Sequence, residues 1–314
     1  MVINIAISIF IYCLFALVLF LAGISARQHM IHGNKNADVI LICASIVFFL
    51  ICGFRYSVGV DCESYAMMYD DLRRGISLDS IFDRNGNEVE PGFILLTRFF
   101  ADINAPVFVY MGFLAFVEYS FFFKTFKRRS FLLPYLGLIL ILGPFFLSWM
   151  NGMRQTIASC IFVLATRILV DKNKWIWYLI LIGLATLIHK SALILLPFIF
   201  LVLYDHQPNK KLSICILAVC FFLGQVFDIS RYIPYLESAL SILNYSNYAD
   251  NLELFASETA DLNFGMRSMV LLLSYLIVVI YSDCLFISFR NDKFFKVSYL
   301  LFLVYDSFFN FLKF

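Results

Sequence analysis

The chain contains 314 residues, of which 62% are hydrophobic and only 15% are charged, and its formal net charge is +2. A soluble domain of this length cannot bury so large an apolar fraction, and the near-neutral charge argues against the basic surface that nucleic-acid binding needs. The sequence therefore predicts an all-α polytopic membrane protein, because its apolar runs are long enough for helices and too long for barrel strands.

Ten apolar runs, in chain order, predict about ten transmembrane helices in a single membrane domain over residues 1–314. They cover residues 2–24, 38–54, 105–124, 131–149, 153–170, 175–188, 191–204, 212–229, 269–289 and 297–312. Two long outer segments, residues 55–104 and 230–268, separate some of these runs. Within the first segment, residues 92–101 are apolar but too few to span the bilayer, which indicates an interfacial or re-entrant helix.

The basic residues of the short loops predict the orientation of the chain. They concentrate after the first, third, fifth, seventh and ninth runs: Arg27, Lys35, Lys124, Lys127, Arg128, Arg129, Arg167, Lys172, Lys174, Lys210, Lys211, Arg290, Lys293 and Lys296. Loops rich in Lys and Arg stay on the cytoplasmic side, so the N-terminus and both long segments are predicted to lie outside. Glu118 and Asp283 fall near cytoplasmic span ends, and their side chains are expected to reach the interface.

Cations stand at the starts of helices that begin at the outer face. Arg154, Lys190 and Arg267 each open such a helix, and Arg55 follows the second apolar run on the same side. A cation is unfavourable at the positive end of a helix dipole, and a bound anion resolves the conflict because helix N-termini bind phosphate groups readily. Ser191 is expected to cap its helix. The pattern predicts a phosphate or pyrophosphate site, with simple anchoring of each cation to lipid as the open alternative.

The second outer segment combines aromatic and polar side chains. Tyr245 and Tyr248 lie there among Asn, Asp and Glu residues. Rings and hydrogen-bonding groups together suit the faces and hydroxyls of sugars, whereas tyrosines at a membrane interface also form aromatic belts. Both interpretations stay open. The eight cysteines show no metal-ligand spacing, so neither a metal nor another cofactor is expected.

Four short motifs occur in the order and approximate spacing of a known family. They are Arg55-x3-Gly59-x-Asp61-x3-Tyr65, Glu90-x-Gly92-Phe93, Arg154-Gln155-x2-Ala158 and His189-Lys190-Ser191-Ala192. The ordered set resembles the EpsG branch of Wzy-type polysaccharide polymerases, most closely over residues 40–200. Chains of that family usually continue with one or more further spans, so this chain is expected to be a short form, a truncated frame or a fragment.

The resemblance implies a function as well as a fold. Members of the family resemble lipid-dependent glycosyltransferases of the bacterial inner membrane, which join repeat units carried on undecaprenyl pyrophosphate at its outer face. O-antigen or exopolysaccharide synthesis is then expected, with lipid-linked oligosaccharides, membrane lipid and a chain-length regulator protein as partners. In the expected reaction, an acceptor hydroxyl attacks the anomeric carbon of a second lipid-linked repeat, and lipid pyrophosphate leaves.

The resemblance also implies roles for individual residues. The general base is expected among Asp61, Glu90 and His189, with a carboxylate favoured over the histidine. Stabilisation of the pyrophosphate charge is expected from Arg55, Arg154, Gln155, Lys190, Ser191 and Arg267. Glycan contacts are expected from Tyr65, Tyr245 and Tyr248.

Two other classes of membrane protein remain as alternatives. A flippase or transporter for lipid-linked oligosaccharides also needs a cationic cavity, but the sequence shows no paired halves or internal repeats. A multispan acyltransferase that decorates the same glycans could use His189 as its base. Its acyl donor would come from the cytoplasm, where the sequence shows no pair of a basic residue and a histidine.

Overall fold

The computed structural model of this protein describes residues 2–34, 36–55, 61–76, 89–143, 145–203, 207–226, 266–290 and 292–312. These residues form helices, turns and short connections, and they contain no β-strand. The helices are α1 (Val2–Ile31), α2 (Asn36–Gly53), α3 (Cys62–Arg73), α4 (Pro91–Asp102), α5 (Val107–Phe126), α6 (Leu133–Leu142), α7 (Phe145–Asn151), α8 (Met153–Lys172), α9 (Trp175–Ile188), α10 (Ile199–Leu203), α11 (Lys210–Val226), α12 (Met266–Ile280), α13 (Ser282–Ser288) and α14 (Lys293–Leu312). The predicted all-α fold is confirmed.

Four helices are long and apolar enough to cross a membrane. They are α2, α5, α8 and the part of α1 from Ile7 to Ile31. The predicted fourth span is a pair of helices, Ser130–Leu142 and Phe145–Asn151, bent by 66° relative to each other, which would make a fifth. The predicted number of about ten stays a prediction, since the segments Trp175–Ile188 and Lys190–Val202 are apolar but shorter.

The chain divides into two compact units, although one membrane domain was predicted. The first contains Met1–Arg84, Glu88–Ile168 and Lys174–Leu196, and the second contains Asn85–Asn87, Leu169–Asn173 and Pro197–Phe314. A single membrane domain over residues 1–314 stays a prediction. The first unit holds most of the motif residues and is therefore the one that matters for the site.

Helix pairs in the first unit approach closely because glycines lie at their contacts. α1 packs against α2 and α6, and α2 packs against α5. A Cβ atom on Gly53 of α2 would lie 2.5 Å from the carbonyl oxygen of Phe108, and one on Gly112 of α5 would lie 2.8 Å from that of Phe49. Small residues on both helices thus allow backbone-to-backbone packing, as is usual between transmembrane helices.

The short apolar stretch of residues 92–101 is helical, as predicted, and belongs to α4. Its interfacial or re-entrant position stays a prediction. α4 packs against α3 and α9. At its exposed end Arg98 Nε donates a hydrogen bond to Asp102 Oδ1 at 2.8 Å, the i,i+4 pair that the sequence allows. The buried side of α4 thus contacts α3 and α9, and its other side is exposed.

The second unit has a small core of its own. α11 packs against α12 and α14, and α10 also contacts α14. The buried side chains that pack together in this core include Leu217, Val279, Phe286, Tyr299 and Leu303. Arg267 belongs to the first turn of α12, whereas Tyr245 and Tyr248 lie outside the described residues.

Asp283 and Glu118, both predicted to reach the membrane interface, differ in their exposure. Asp283 has a side chain that is 60% exposed and lies 3.8 Å from Lys210 Nζ, in keeping with a position at the surface. The interpretation of Glu118 was wrong, because that residue is completely buried in α5. Within the described part of the chain, neither of its carboxyl oxygens has a hydrogen-bond partner. Packing of α5 inside the first unit therefore prevents the side chain from reaching the interface.

Candidate functional site

Glu90 stands at the start of α4 with its side chain turned away from that helix. Its backbone is extended (φ −64°, ψ 138°), Pro91 follows in the first helical turn, and the carboxylate makes no cap hydrogen bond to α4. At the start of α4 the backbone carbonyl of Glu90, and not its side chain, accepts hydrogen bonds from the N–H groups of Phe93 and Ile94, both at 3.0 Å. Proline with its fixed φ suits a helix start. The carboxylate, which is only 3% exposed, is therefore available to other elements.

Three groups from distant parts of the sequence meet at this carboxylate. Arg154 Nη1, in the first turn of α8, donates to Glu90 Oε2 at 2.8 Å. His189 Nδ1, at the end of α9, lies 3.0 Å from Oε1, and the backbone N–H of Lys190 donates to the same oxygen at 2.9 Å. We call Glu90, Arg154, His189 and Lys190 the Glu90 cluster. Three of the four sequence motifs thus converge on one buried anion.

The surroundings of Glu90 keep it ionised and fix the proton on His189. Burial by itself raises the pKa of Glu90, but the hydrogen bonds from His189 and the Lys190 N–H, with the charge of Arg154, lower this pKa to about 2. A carboxylate can only accept hydrogen bonds. His189 Nδ1 must therefore carry a hydrogen, which leaves Nε2 as the basic nitrogen whenever the ring is neutral.

Gly92 lets α4 come close enough to α9 for these contacts to form. A Cβ atom at position 92 would lie 2.7 Å from the carbonyl oxygen of Leu187 and 2.8 Å from its Cβ atom. Leu187 precedes His189 by two residues, and Gly92 follows Glu90 by two. The spacing of the Glu90-x-Gly92 motif therefore has a physical reason. The glycine allows α4 to pack closely against α9, and this packing places the Glu90 carboxylate beside His189.

Substitution of Gly92 by alanine is expected to lower stability by about 1–3 kcal/mol, because the added methyl group meets backbone that cannot move without shifting α9. Polymer formation should fall with it. Gly183 on α9 is the matched control, since nothing lies within 4 Å of a Cβ atom there. Gly183→Ala should leave stability unchanged or raise it by up to about 1 kcal/mol, as alanine favours helix. Thermal unfolding of the two purified variants checks this, and equal Tm values would contradict it.

Tyr65 belongs to the packing around Arg154. The Arg154 Cζ atom lies 5.9 Å from the centroid of the Phe93 ring, and the rings of Tyr65 and Phe93 meet edge to face at 5.8 Å. Burial raises the pKa of the Tyr65 hydroxyl, and the charge of Arg154 opposes part of that rise. Tyr65 is only 6% exposed. Its ring therefore supports the guanidinium and offers little surface to a sugar.

Arg55, which follows α2, and Asp61, which precedes α3, contact the junction between α7 and α8. Arg55 Nη1 donates to the carbonyl oxygen of Met150 at 2.6 Å, and its Nη2 lies 3.1 Å from Met153 Sδ. The backbone N–H of Asp61 donates to Asn151 Oδ1 at 3.0 Å. Arg55 thus holds the C-terminal end of α7, where a cation is favourable. All four motifs supply residues to the region where α7 ends and α8 begins.

A polar cleft of about 380 Å³ opens beside this region. Its lining residues are Asp61, Ser148, Trp149, Asn151, Gly152, Gln155, Thr156 and Ser159. Gln155, predicted to bind pyrophosphate, is exposed and faces this cleft with Asp61. The other lining residues were not predicted. Their signal is the spacing of polar residues within apolar runs, because positions 148 and 151 of α7 and positions 155 and 159 of α8 are each three or four residues apart and so share a face of their helix.

The remaining predicted residues have separate positions. Ser191 does not cap its helix, because a 3₁₀ segment begins one residue earlier, at Lys190, and Ser191 lies exposed inside it. Lys190 joins the Glu90 cluster through its backbone N–H. Arg267 belongs to the second unit, and Gly59 lies outside the described residues. Among the residues that the structure describes, no three His, Cys, Asp or Glu side chains are placed to share a metal ion.

Comparisons with known proteins give one match. A model of the EpsG family matches residues 38–314, which include all four motifs. No curated protein and no solved structure matches this chain. The family suggests a polysaccharide polymerase-type function, in keeping with a glycosyltransferase-like enzyme. Because the match covers most of the chain and the apolar helices indicate several membrane passes, this multi-pass membrane protein belongs to the EpsG family.

Proposed function

We propose that this protein joins oligosaccharide repeat units carried on undecaprenyl pyrophosphate, at the periplasmic face of the bacterial inner membrane. The product is an O-antigen or exopolysaccharide chain. The observation that carries the proposal is the Glu90 cluster, in which a helix start, a guanidinium and an oriented histidine meet beside a polar cleft. Such a site combines groups for an anionic leaving group with groups for sugar hydroxyls.

Arg154 is the residue that receives the pyrophosphate. The first turn of a helix presents N–H groups without intrahelical partners, and its dipole favours an anion. A guanidinium offers five N–H donors in a planar fork that fits phosphate oxygens. Glu90 and Phe93 hold this fork in place. The leaving pyrophosphate gains negative charge as its bond to the sugar breaks, so a fixed cation lowers the barrier more than a mobile one does.

Glu90 positions Arg154 and His189 and is a poor base itself. Its pKa of about 2 makes it weakly basic, and both oxygens already accept hydrogen bonds. His189 has the better arrangement, because a carboxylate on Nδ1–H directs Nε2 outward, as in other His–carboxylate pairs. In the proposed step, His189 Nε2 takes the proton of the acceptor hydroxyl. The oxygen of that hydroxyl forms a bond to the anomeric carbon. The bond from that carbon to the pyrophosphate breaks, and lipid pyrophosphate leaves as an anion.

The polar cleft is proposed to hold the acceptor repeat unit. Hydroxyl, amide and carboxylate groups line it, and Trp149 adds an indole ring. These groups suit the hydroxyls and apolar faces of sugars. Ser148, Gln155 and Ser159 are exposed although they lie on apolar helices. Polar side chains on such helices usually face a water-filled cavity or a partner, because contact with hydrocarbon is costly. Asp61 would orient the acceptor hydroxyl from the cleft wall.

The orientation of the chain is part of this proposal. With the N-terminus outside, the start of α8 and the Glu90 cluster lie at the periplasmic face. Cysteines introduced at Ser80 and Ser257 are expected to react with a membrane-impermeant thiol reagent added to intact cells with a permeable outer membrane. A cysteine at Asn209 should react only after the inner membrane is opened. Labelling of position 209 in intact cells would reverse the orientation and remove the site from the periplasm.

Deletion of the gene, followed by gel analysis of surface glycan, tests the function. A polymerase defect should leave glycan with a single repeat unit and remove the long ladder. Accumulation of lipid-linked repeats on the inner leaflet would instead identify a flippase. A ladder of normal length that lacks acyl groups would identify an acyltransferase.

A further inference from the structure

A second concavity lies at the other end of α8 from the Glu90 cluster. It has a volume of about 510 Å³, and its lining residues are Met30, Ile31, Lys127, Arg128, Ser130 and Arg167. We call it the basic pocket. Arg154 and Arg167 stand thirteen residues apart on α8, a separation of roughly 20 Å along a helix. The proposed transfer reaction uses none of the residues of this pocket.

The lining of the basic pocket is strongly cationic. Lys127 and Arg128 follow α5, Arg167 lies near the end of α8, and Ser130 adds a hydroxyl at the start of the next helix. No carboxylate occurs among the described residues that line it. The polar cleft at the other end of α8 has the opposite character, with one carboxylate and no cation in its described lining. An anion is therefore the ligand that the basic pocket favours.

Two of the cations are held in position by contacts inside the protein. Lys127 Nζ pairs with Asp38 of α2, and Arg167 Nη1 donates to the carbonyl oxygen of Lys124 in the last turn of α5. The charge of Arg167 thus interacts favourably with the negative C-terminal end of α5. The same contacts restrain the side chains, and a restrained group loses less conformational entropy when a ligand binds. Lys127 and Arg167 are therefore held in place before an anion binds.

The apolar side of the pocket narrows the choice of anion. Met30 and Ile31 end α1, and Ile31 is 66% exposed beside the cations. α1, α5 and α8 are all long enough to span a membrane, so their shared end lies where lipid headgroups meet water. Arginine forks bind phosphate oxygens in pairs, and basic pockets between transmembrane helices suit anionic headgroups. We propose that the basic pocket binds the phosphate group of an anionic phospholipid.

Binding of defined lipids to the purified full-length chain tests this proposal. In detergent micelles, phosphatidylglycerol is expected to bind at least tenfold more tightly than phosphatidylcholine with the same acyl chains. Each of Arg128→Ala and Arg167→Ala should weaken the binding of phosphatidylglycerol by about fivefold, the effect typical of one basic residue at a lipid surface. Arg128→Lys should recover only part of that loss, because lysine restores the charge and not the planar fork. The matched control is Arg27→Ala, because Arg27 is exposed on α1 and does not line the pocket.

Thermal unfolding of each variant separates loss of the ligand from loss of the fold. Arg167 bonds to the backbone of α5, so Arg128→Ala is the decisive variant if Arg167→Ala lowers Tm. Equal affinity for the two lipids, or an equal effect of Arg27→Ala, would overturn the proposal. Displacement of phosphatidylglycerol by millimolar inorganic phosphate would also overturn it, since free phosphate would then be the ligand.

Discussion

Replacement of Arg154 by alanine is expected to reduce polymer formation at least 100-fold without loss of protein from the membrane. Removal of one preorganised donor from a developing anion commonly costs that much. Arg154 is the cation in the first turn of α8, and both Glu90 and Phe93 hold its guanidinium. Arg154→Lys should restore little activity, because a lysine supplies a point charge and cannot reproduce the planar fork. Ladder length and amount on a glycan gel measure the effect.

Arg98 provides the matched control for Arg154. It is an arginine of α4, the helix that Glu90 precedes, and its ion pair with Asp102 is exposed, with side-chain exposures of 38% and 60%. Exposed pairs contribute little to stability, so Arg98→Ala should leave the ladder normal. If Arg154→Ala also leaves the ladder normal, Arg154 is a membrane anchor and the pyrophosphate assignment is wrong.

Replacement of Glu90 by glutamine is expected to have the second large effect. The amide keeps the size of the side chain but removes the charge, and its NH₂ group cannot accept the hydrogen bonds that the carboxylate accepts. Arg154 would remain partly buried without its counter-ion, a change that commonly destabilises by about 3–5 kcal/mol. One amide oxygen replaces two carboxylate oxygens, so His189 would keep its acceptor only if the NH₂ group faced the N–H donors of Arg154. Turnover with purified lipid-linked repeats should therefore fall at least 100-fold, with a lower Tm.

Two further variants separate the role of Glu90 from general damage. Glu63→Gln removes an exposed carboxylate on α3 and should leave both turnover and Tm unchanged. His189→Gln should abolish turnover while keeping most of the stability, since Glu90 would still pair with Arg154. If Glu90→Gln keeps near-normal turnover, the Glu90 cluster does not position the catalytic groups.

The pKa of Glu90 separates this residue from the other candidate bases. It lies below its ordinary value, so the contribution of Glu90 to stability is complete above about pH 4.5 and is lost as the pH falls toward 2. Unfolding measured over this range of pH checks the expected loss. Glu90 stays ionised between pH 6 and 8, so its titration should not change the rate of turnover there. An inactive Asp61→Asn variant beside an active His189→Gln variant would move the role of base to Asp61.

The sequence predicts the helices better than it predicts the site. Long apolar runs indicate α2, α5 and α8 because hydrophobic length is a local property of the chain. α1 extends beyond its predicted end at residue 24, to Ile31, since no breaker occurs before Gly33, whose φ of +67° ends the helix. The motifs identified Glu90, Arg154 and His189 individually. Their contacts join residues 64 and 99 positions apart, and such separations leave no periodic signal in a single sequence.

Two failures have the same physical origin in tertiary packing. Ser191 has the side chain of a good helix cap, yet the hydrogen bond of the Lys190 N–H to Glu90 accompanies a helix start one residue earlier. Glu118 looked like a residue that could reach the interface, yet α5 packs it completely inside the first unit. In both cases contacts with a neighbouring element override the local sequence pattern.

Synthesis of polymer by the purified protein tests the proposed function most directly. The full-length chain in lipid nanodiscs would receive repeat units linked to undecaprenyl pyrophosphate, with no other protein present. We expect a ladder of products and one lipid pyrophosphate released for each new glycosidic bond, with neither product from Arg154→Ala. An absence of ladder and of released lipid pyrophosphate, while the same protein in sealed vesicles moves the lipid-linked repeat across the bilayer, would contradict the proposed function.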